Sequence, residues 1–326
     1  MKTNAIIRIV LFSLGILILT GILITALGIR FFTVDTSLIT TEEYPLPVVS
    51  DGYSSSGSVH ADAIRNLDIE WVAGTITISP QEGIYELIAT ENNGNEKYQM
   101  VYAVNGDTLK IRFCEDSIKF SSIGVNSTMS KDLHIAVPAD WNCDELSIDA
   151  AASNVTINDL KIKDMEFDGA SGQLGFYGCD VIHLDIDTAS GDVEFNGTLE
   201  NLDFDAVSAS FHGTVHNCPS QIEMDSLSGK LTLYLPSDCG FTVTNDSLSN
   251  KINSDFEVSF SHNAIVHGDG SCKIDVTGLA GNITIRKHAP ASDSAPCYDS
   301  NCTDITHNHQ TNQNSTSSHH SENEHR

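Results

Sequence analysis

The stretch Leu184-Asp-Ile-Asp-Thr-Ala-Ser-Gly-Asp-Val-Glu-Phe-Asn-Gly197 decides the fold, because its opening phrase recurs along the chain. The phrase begins with an apolar residue, has Asp three positions later, and continues to a Ser that is mostly followed by Gly. Its copies open at positions 146, 165, 184, 202 and 222, so the spacings are 19, 19, 18 and 20 residues. A fixed period near twenty indicates stacked repeats rather than a conventional globular domain.

One copy is enough to predict the shape of the repeat. Leu184 and Ile186 point to one side of a strand, and Asp185 and Asp187 point to the other, because side chains alternate along a strand. The Ser-Gly step that follows predicts a tight turn, since Gly tolerates positive φ. A second apolar-alternating strand ends at Asn196-Gly197. The chain is therefore predicted to be all-β, a parallel β-solenoid (β-helix) with rungs of about 19 residues.

Stacking of such rungs aligns equivalent residues one above another. The resulting two outward rows are here called the acidic face, and nine of its ten positions are acidic. Only Ser147 breaks the pattern. The acidic members, a candidate surface for a cation or a partner, are Asp149, Glu166, Asp168, Asp185, Asp187, Asp203, Asp205, Glu223 and Asp225.

The acidic face needs something to offset its own repulsion. Two unit charges one rung apart repel by about 1 kcal/mol even in water, and by more near a protein surface. One expectation is that the Asp at the end of each first strand accepts hydrogen bonds from the following turn. The other is that cations, Ca²⁺ above all, bridge carboxylates of successive rungs, although the Gly-rich nonapeptide of calcium-loaded β-rolls is absent.

The N-terminal part of the chain predicts a membrane anchor. Residues 9–29 form an apolar run of 21 positions, long enough to span a bilayer as a helix. Lys2 and Arg8 precede it, which favours a cytoplasmic N-terminus at residues 1–8 and an extracytoplasmic remainder. A cleaved signal peptide is the alternative, but its apolar core is usually only about 7–15 residues long. Residues 30–63, rich in Ser, Thr, Gly and Pro, are predicted to form a spacer.

The folded region is expected at residues 64–287. Residues 64–141 read as a β meander that opens with an early copy of the phrase, Leu67-Asp-Ile-Glu-Trp71, and contains hairpin turns at Asn92-Asn-Gly94 and Asn105-Gly106-Asp107. The regular repeats then run over 146–285, with a loop or hairpin expected at 253–272. Residues 288–326, almost free of aliphatic side chains, are predicted to be a disordered tail rich in His, Ser and Asn.

Composition limits the partners of this chain. Lys and Arg number 17 against 44 Asp and Glu, which gives a net charge of −27. Such a surface repels nucleic acid and attracts cations or cationic polymers, although acidity also serves solubility alone. The eight cysteines include no CxxC pair. Cys179, Cys218 and Cys239 each precede a repeat, so neighbouring rungs bring them close together or leave them as buried thiols.

The tail carries a second candidate site, for a transition metal. Imidazole and thiolate are good ligands for Zn²⁺, copper or Ni²⁺, and a flexible His-rich tract gathers such ions weakly. An incidental low-complexity tail is the competing interpretation, and a disulfide between the two tail cysteines is equally open. The candidate ligands are Cys297, Cys302, His307, His309, His319 and His320. No resident cofactor is predicted beyond a weakly held Ca²⁺ on the acidic face or a transition metal on the tail.

Catalysis is the least favoured interpretation. Some parallel β-helices cleave polysaccharides with Asp clusters, and Asp185, Asp187, Asp203 and Asp205 invite that comparison. The acidic residues recur on every rung instead of clustering at one, and rungs of about 19 residues leave little length for cleft-forming loops. We therefore predict a protein that is not an enzyme.

Three features resemble the putative-adhesin family of bacterial membrane-anchored β-strand-repeat proteins. They are the phrase over residues 67–78, the step Asp132-Leu-His-Ile-Ala-Val-Pro138, and the serial Asp-x-x-Ser-Gly repeats, which together span residues 60–286. The resemblance implies an extracytoplasmic β-solenoid, with no family catalytic residues to carry over. The turn Gly is missing at Ser208-Ala209 and Ser249-Asn250.

These observations predict a single-pass protein of the bacterial cell membrane, with a non-enzymatic β-solenoid at the cell surface. Its expected role is adhesion or envelope-associated binding through the acidic face, with a cell-envelope or host-surface ligand. The alternative is an envelope-stress or signalling accessory that senses cations or cationic peptides through the same face.

Overall fold

The computed structural model describes residues 55–93, 98–114, 130–261 and 264–288. Within them the chain is almost entirely β-strand, with one short 3₁₀ helix at Ala61–Ala63. The strands are β1 (Ser55–His60), β2 (Asn66–Gln81), β3 (Glu86–Asn92), β4 (Val101–Asn105), β5 (Thr108–Arg112), β6 (Lys131–Pro138), β7 (Asn142–Asn158), β8 (Lys161–Ser171), β9 (Gln173–Val215), β10 (Gln221–Leu235), β11 (Phe241–Ser254), β12 (Ser259–Ser261), β13 (Ala264–His267) and β14 (Cys272–Lys287).

The repeats stack in parallel and in register, as the sequence predicts. Leu146 of β7 lies opposite Met165 of β8, which lies opposite Leu184 of β9. Farther along, Leu202 lies opposite Ile222. The apolar positions of every rung point into one continuous core, where most of their side chains are fully buried. Each buried Leu, Ile or Phe contributes about 1.5–3 kcal/mol relative to exposure, so the shared core holds the rungs together.

The last two copies of the repeat do not stack in chain order. β14 pairs with β10 on one side and with β11 on the other, so the later copy lies inside the earlier one. Ile274 thereby continues the apolar column from Ile222, and Val243 follows it. The more regular copy extends the stack, while the less regular copy forms the outer rung. The segment between them forms the expected hairpin, β12 with β13.

The predicted positive φ at the Ser-Gly step is confirmed at Gly191, but the step forms a corner within a continuous strand instead of a separate tight turn. β9 runs unbroken through Ser190 and Gly191. Gly191 has a φ of +140°, so the conformational need for Gly is real, but it produces a corner in a continuous strand. A Cβ on Gly191 would lie 2.1 Å from the carbonyl oxygen of Gly172 on the previous rung. The reason is stacking: each corner packs directly on the one below it. The corners at Ala209 and Asn250, which lack this Gly, differ: pairing with β10 is interrupted between Ala206 and Ser210, whereas Asn250 stays paired with Gly281 of β14.

The N-terminal end of the stack is a mixed sheet. The first half of β2 pairs with β5, its second half pairs with β6, and both halves pair with β7 on the other side. β3 joins β6 in antiparallel fashion and β1 covers β3. The predicted spacer at residues 30–63 therefore extends too far, because Ser55–His60 belongs to the folded sheet as β1. The hairpin at Asn105-Gly106-Asp107 is confirmed, because it joins β4 to β5.

The turn predicted at Asn92-Asn-Gly94 does not close a hairpin in the way the sequence suggests. Asn93 has a φ of +59°, which fits a turn. However, β3 pairs with β1 and β6 rather than with β4. The alternating sequence pattern of β3 is compatible with pairing to β4 or to other strands, and in the structure β3 pairs with β1 and β6.

An ion pair is buried at this end of the molecule. Lys131 is 2% exposed and Glu91 is 0% exposed, and the Lys131 Nζ lies 2.5 Å from the Glu91 Oε2. The ammonium also donates to the carbonyl oxygens of Tyr98 and Phe113 and lies 3.9 Å from the centroid of the Phe113 ring. Burial raises the pKa of Glu91 and lowers that of Lys131, while each partner's charge opposes the shift of the other.

Several sequence expectations concern residues that the structure does not describe. The predicted membrane helix at 9–29, most of the spacer and the tail beyond His288 lie outside the described residues. In the described ranges, no helix is long and apolar enough to span a membrane. Of the three cysteines that precede repeats, Cys218 and Cys239 form a disulfide, whereas Cys179 is a buried thiol.

Candidate functional site

The acidic face forms as the repeat spacing predicts. Asp149 lies opposite Asp168, which lies opposite Asp187, and Asp205 lies opposite Asp225. The second row pairs the remaining predicted positions in the same order: Glu166 with Asp185, and Asp203 with Glu223. Along a strand the two rows are about 6.7 Å apart, and successive rungs are about 4.8 Å apart. The result is a flat grid of carboxylates on one side of the stack.

The face is longer than the sequence interpretation placed it. Asp68 and Glu70 of β2 lie opposite Ser147 and Asp149, and Asp275 of β14 lies opposite Glu223. These three residues were missed because they belong to the early and late copies of the phrase. The signal was present in Leu67-Asp-Ile-Glu-Trp71, which has acidic residues at the same two positions.

The fold neutralises this face at one end only. Lys110 and Arg112 of β5 occupy the positions opposite Asp68 and Glu70. The Lys110 Nζ lies 2.5 Å from Asp68, and the Arg112 Nε lies 3.5 Å from Glu70. A strand with two cations spaced two residues apart therefore matches both rows of the grid at once. On the rungs from β7 to β10, the described residues include no ion pair to either row.

The carboxylates in the middle of the face hold their protons more tightly than isolated ones. Burial, followed by the charges of Asp168 and Glu70, raises the pKa of Asp149 to about 6. Burial and the neighbouring Asp187 and Asp203 likewise raise the pKa of Asp205 to about 6. The other predicted members with raised pKa values, for the same two causes, are Glu166, Asp168, Asp185, Asp187 and Asp203. The carboxylates are therefore close enough that neutralising one of them, or binding a cation beside it, lowers the electrostatic repulsion on the face.

The predicted capping role of the Asp row is wrong. The pKa values of Asp149, Asp168, Asp187 and Asp205 are shifted only by burial and by like charges, with no hydrogen bond to lower them. The physical reason is the extended corner. Because the strand continues through Ser-Gly, no turn presents its amide groups to these carboxylates.

The acidic face is an open surface and not an enclosed binding site. All predicted members except Asp149 and Asp168 are exposed. Across the described ranges, no group of three or more His, Cys, Asp or Glu side chains is arranged to hold a metal ion. The tail candidates Cys297, Cys302, His307, His309, His319 and His320 lie outside those ranges. A flat grid suits a partner that brings several positive charges better than it suits a single tightly enclosed ion.

A concave region lies elsewhere, at the C-terminal end of the stack. It has a volume of about 640 Å³ and is lined by residues that include Asn245, Ile252, Val258, Phe260 and Ile265. None of the acidic-face carboxylates lines it. The predicted site residues and the cleft are therefore separate features of the molecule.

Comparison with known proteins identifies the stack. The family model described as Toastrack DUF4097 matches residues 64–286. No curated protein matches the chain.

Two similar solved structures are named for adhesion. One is a putative adhesin from Bacteroides fragilis NCTC 9343, with 14% identity, a TM-score of 0.41, and coverage of 72% of this chain and 98% of that one. The other is a putative cell adhesion protein from Clostridium sporogenes ATCC 15579, with 12% identity, a TM-score of 0.34, and coverage of 73% and 100%. A third is a putative lipid binding protein from Parabacteroides distasonis ATCC 8503, with 14% identity, a TM-score of 0.29, and coverage of 72% and 97%.

Proposed function

The chain belongs to the Toastrack DUF4097 family, and from that premise we propose that its stack is a non-enzymatic binding module whose acidic face contacts a cationic partner. The observation that carries this proposal is the pairing of β5 with β2. There, Lys110 and Arg112 neutralise one carboxylate of each row. The same grid continues without cations along β7, β8, β9 and β10, so a partner with similar spacing has a matching surface.

The expected partner is a peptide or polymer with regularly spaced positive charges. Lys and Arg two residues apart in an extended segment are about 6.7 Å apart, which equals the separation of the two rows. Charges spaced by a rung, about 4.8 Å, match the other direction of the grid. Such contacts at an exposed surface are individually weak, about 0–1 kcal/mol, so affinity has to come from several of them together.

Protonation gives this interaction a distinct pH dependence. Because the pKa of Asp149 and of Asp205 is about 6, both are partly protonated near pH 6 and charged above pH 7. A cationic partner favours the charged forms, so its binding releases protons. We expect affinity to rise between pH 5 and pH 7.5 and to fall with increasing salt.

A binding titration tests the proposal. The full-length protein in detergent is titrated with a labelled oligolysine peptide, and with oligoglutamate as the negative control. Replacing both Asp187 and Asp205 by Asn is expected to weaken oligolysine binding several-fold. The matched control replaces Asp192 and Asp238 by Asn, which removes the same charge outside the two rows. Equal weakening in both double variants, or no weakening in either, contradicts a specific role for the face.

The biological setting of this binding forms part of the proposal. We propose that the membrane helix predicted from the sequence at residues 9–29 anchors an extracytoplasmic stack, whose acidic face contacts a cell-envelope or host-surface ligand. The names of the similar structures, putative adhesin among them, suggest attachment as the use. Protease digestion of intact cells tests the orientation: the stack should be cleaved or released from outside the cell.

Sensing is the second candidate function. It is favoured by the raised pKa values, because a change in pH or in cation concentration alters the charge of the face. In that case the partner is a signalling protein that recognises one charge state of the face. Deleting the gene would then change envelope-stress reporter activity without changing adhesion, whereas loss of adhesion alone favours the first candidate.

A further inference from the structure

Two histidines that do not belong to the acidic face meet just beyond the ends of two strands of the stack. His216 directly follows β9, and His288 directly follows β14. Their ring centroids are 5.4 Å apart, with the ring planes at 71°. His288 is also the last described residue before the His-rich tail.

The backbone holds both residues in place. The amide of His216 donates to the carbonyl oxygen of Gly197 at 2.8 Å, and the amide of His288 donates to that of Leu235 at 2.7 Å. Continuing the register of β10 with its two neighbours places Pro236 on the rung between them. The two histidines are therefore two rungs apart, about 9.6 Å along the stack, and their side chains lean towards each other.

From this geometry we propose that His216 and His288 together bind a transition-metal dication of the zinc class. Zn²⁺ binds imidazole nitrogen at about 2.0–2.1 Å, so each ring centroid lies about 3.2 Å from the ion. Two imidazoles at a tetrahedral angle then have centroids about 5.2 Å apart, close to the separation in the structure. Water or a further protein group completes the coordination.

The surroundings of the pair favour a cation. Asp180 is close enough to raise the pKa of His216, while burial and the neighbouring His288 lower it, with burial the largest cause. The net lowering keeps His216 neutral near pH 7, which is the form that binds metal. The Thr198 hydroxyl donates to the Asp180 carboxylate at 2.6 Å and holds its position. Nitrogen ligands select zinc, nickel or copper rather than Ca²⁺, so this site differs in chemistry from the acidic face.

An edge-to-face contact between two neutral rings also falls in this distance range, and metal binding distinguishes the two cases. The full-length protein in detergent is titrated with Zn²⁺ alone, and its melting temperature is measured. The starting protein carries Ala in place of the tail histidines 307, 309, 319, 320 and 325 and Ser in place of Cys297 and Cys302, so that the candidate ligands of the tail do not bind the ion. We expect Zn²⁺ to raise the melting temperature by roughly 3–8 °C, since both ligands belong to the folded stack, and Ca²⁺ at the same concentration not to do so.

The variants decide whether the histidine pair is responsible. His216→Ala and His288→Ala are each expected to weaken Zn²⁺ binding at least tenfold, and the double variant no more than either single one. His212→Ala, an exposed histidine within β9, is the matched control and should leave binding unchanged. Replacing both Asp187 and Asp205 by Asn, as described above, should also leave it unchanged, which separates this site from the proposed function. A zinc effect that survives in both single variants, or no zinc effect at all, overturns the proposal.

Discussion

Replacing Asp149 by Asn should stabilise the protein at neutral pH. Asp149 is partly buried, and it lies between Glu70 and Asp168 on neighbouring rungs. Burial and these charges raise its pKa from 3.8 to about 6. That rise corresponds to a difference of about 3 kcal/mol between the free-energy changes of the charged and neutral forms on folding. Because the site is partly open to water and salt, we expect about 1–2 kcal/mol of stabilisation in Asp149→Asn.

The sign of the pH dependence follows from the direction of the shift. The folded state binds this proton more tightly than the unfolded state does, so folding stability from this group falls as the pH rises from about 4 to about 6. Below about pH 4 the carboxyl is protonated in both states, and Asp149→Asn should change little. Above about pH 7 the full stabilisation should be present. No hydrogen bond contributes to the shift at Asp149, so the amide replaces the carboxylate without losing a partner.

Urea unfolding at pH 4 and at pH 7.5 measures the effect. The stabilisation corresponds to a rise of roughly 2–6 °C in melting temperature at pH 7.5. Asp192→Asn removes an exposed carboxylate outside the two rows and is expected to change stability by less than about 0.5 kcal/mol. An Asp149→Asn protein that is destabilised at pH 7.5, or stabilised equally at both pH values, would refute the inference that the charged Asp149 carboxylate lowers folding stability.

Three further predictions concern the fold. Lys131→Met leaves the Glu91 carboxylate buried without its cation and should lower the free energy of unfolding in urea by about 3–5 kcal/mol. Adding Glu91→Gln removes the unpaired charge, so the double variant should lose less stability. Equal losses in the single and double variants would contradict a charge-pair role. Gly191→Ala should destabilise the protein strongly, because the added Cβ would lie 2.1 Å from a backbone oxygen. Gly83→Ala, where the added Cβ has open space, should lower the free energy of unfolding by only about 1 kcal/mol. Thermal melting measures both. Reducing the disulfide, which links cysteines 21 positions apart, should lower the free energy of unfolding by about 3 kcal/mol. An unchanged unfolding midpoint in reductant would contradict this.

The repeat period predicted the stack and the acidic face because both depend only on local alternation and a constant spacing. Any register that buries Leu184 also exposes Asp185 and Asp187, since a slip of one residue would reverse every side chain. The insertion of β14 between β10 and β11 was not predictable in this way. Both copies carry the same pattern, so the pattern alone does not determine which of them pairs with β10.

The Ser-Gly corner shows a second limit of sequence reasoning. The residue types correctly indicated positive φ, as Gly191 has, but a single chain does not reveal that the neighbouring rung lies at contact distance there. The corner lies within a continuous strand, so the separate turn that was expected to cap the Asp row does not form. The meeting of His216 with His288 is similarly invisible, because it links positions 72 residues apart through the reordered last rung.

The arrangement of charge on the face supports the proposed binding role. A stacked fold does not require like charges along a row, because alternating Lys and Asp on successive rungs would turn repulsion of about 1 kcal/mol per contact into attraction. The chain uses that solution where β5 meets β2, so the cationic option is available within the same fold. From β7 to β10 it is not used, and the carboxylates there have raised pKa values instead. Solubility needs only exposed charge of either sign, so a face that keeps one sign at a cost in stability supports the proposed cationic partner, whose binding would remove that cost.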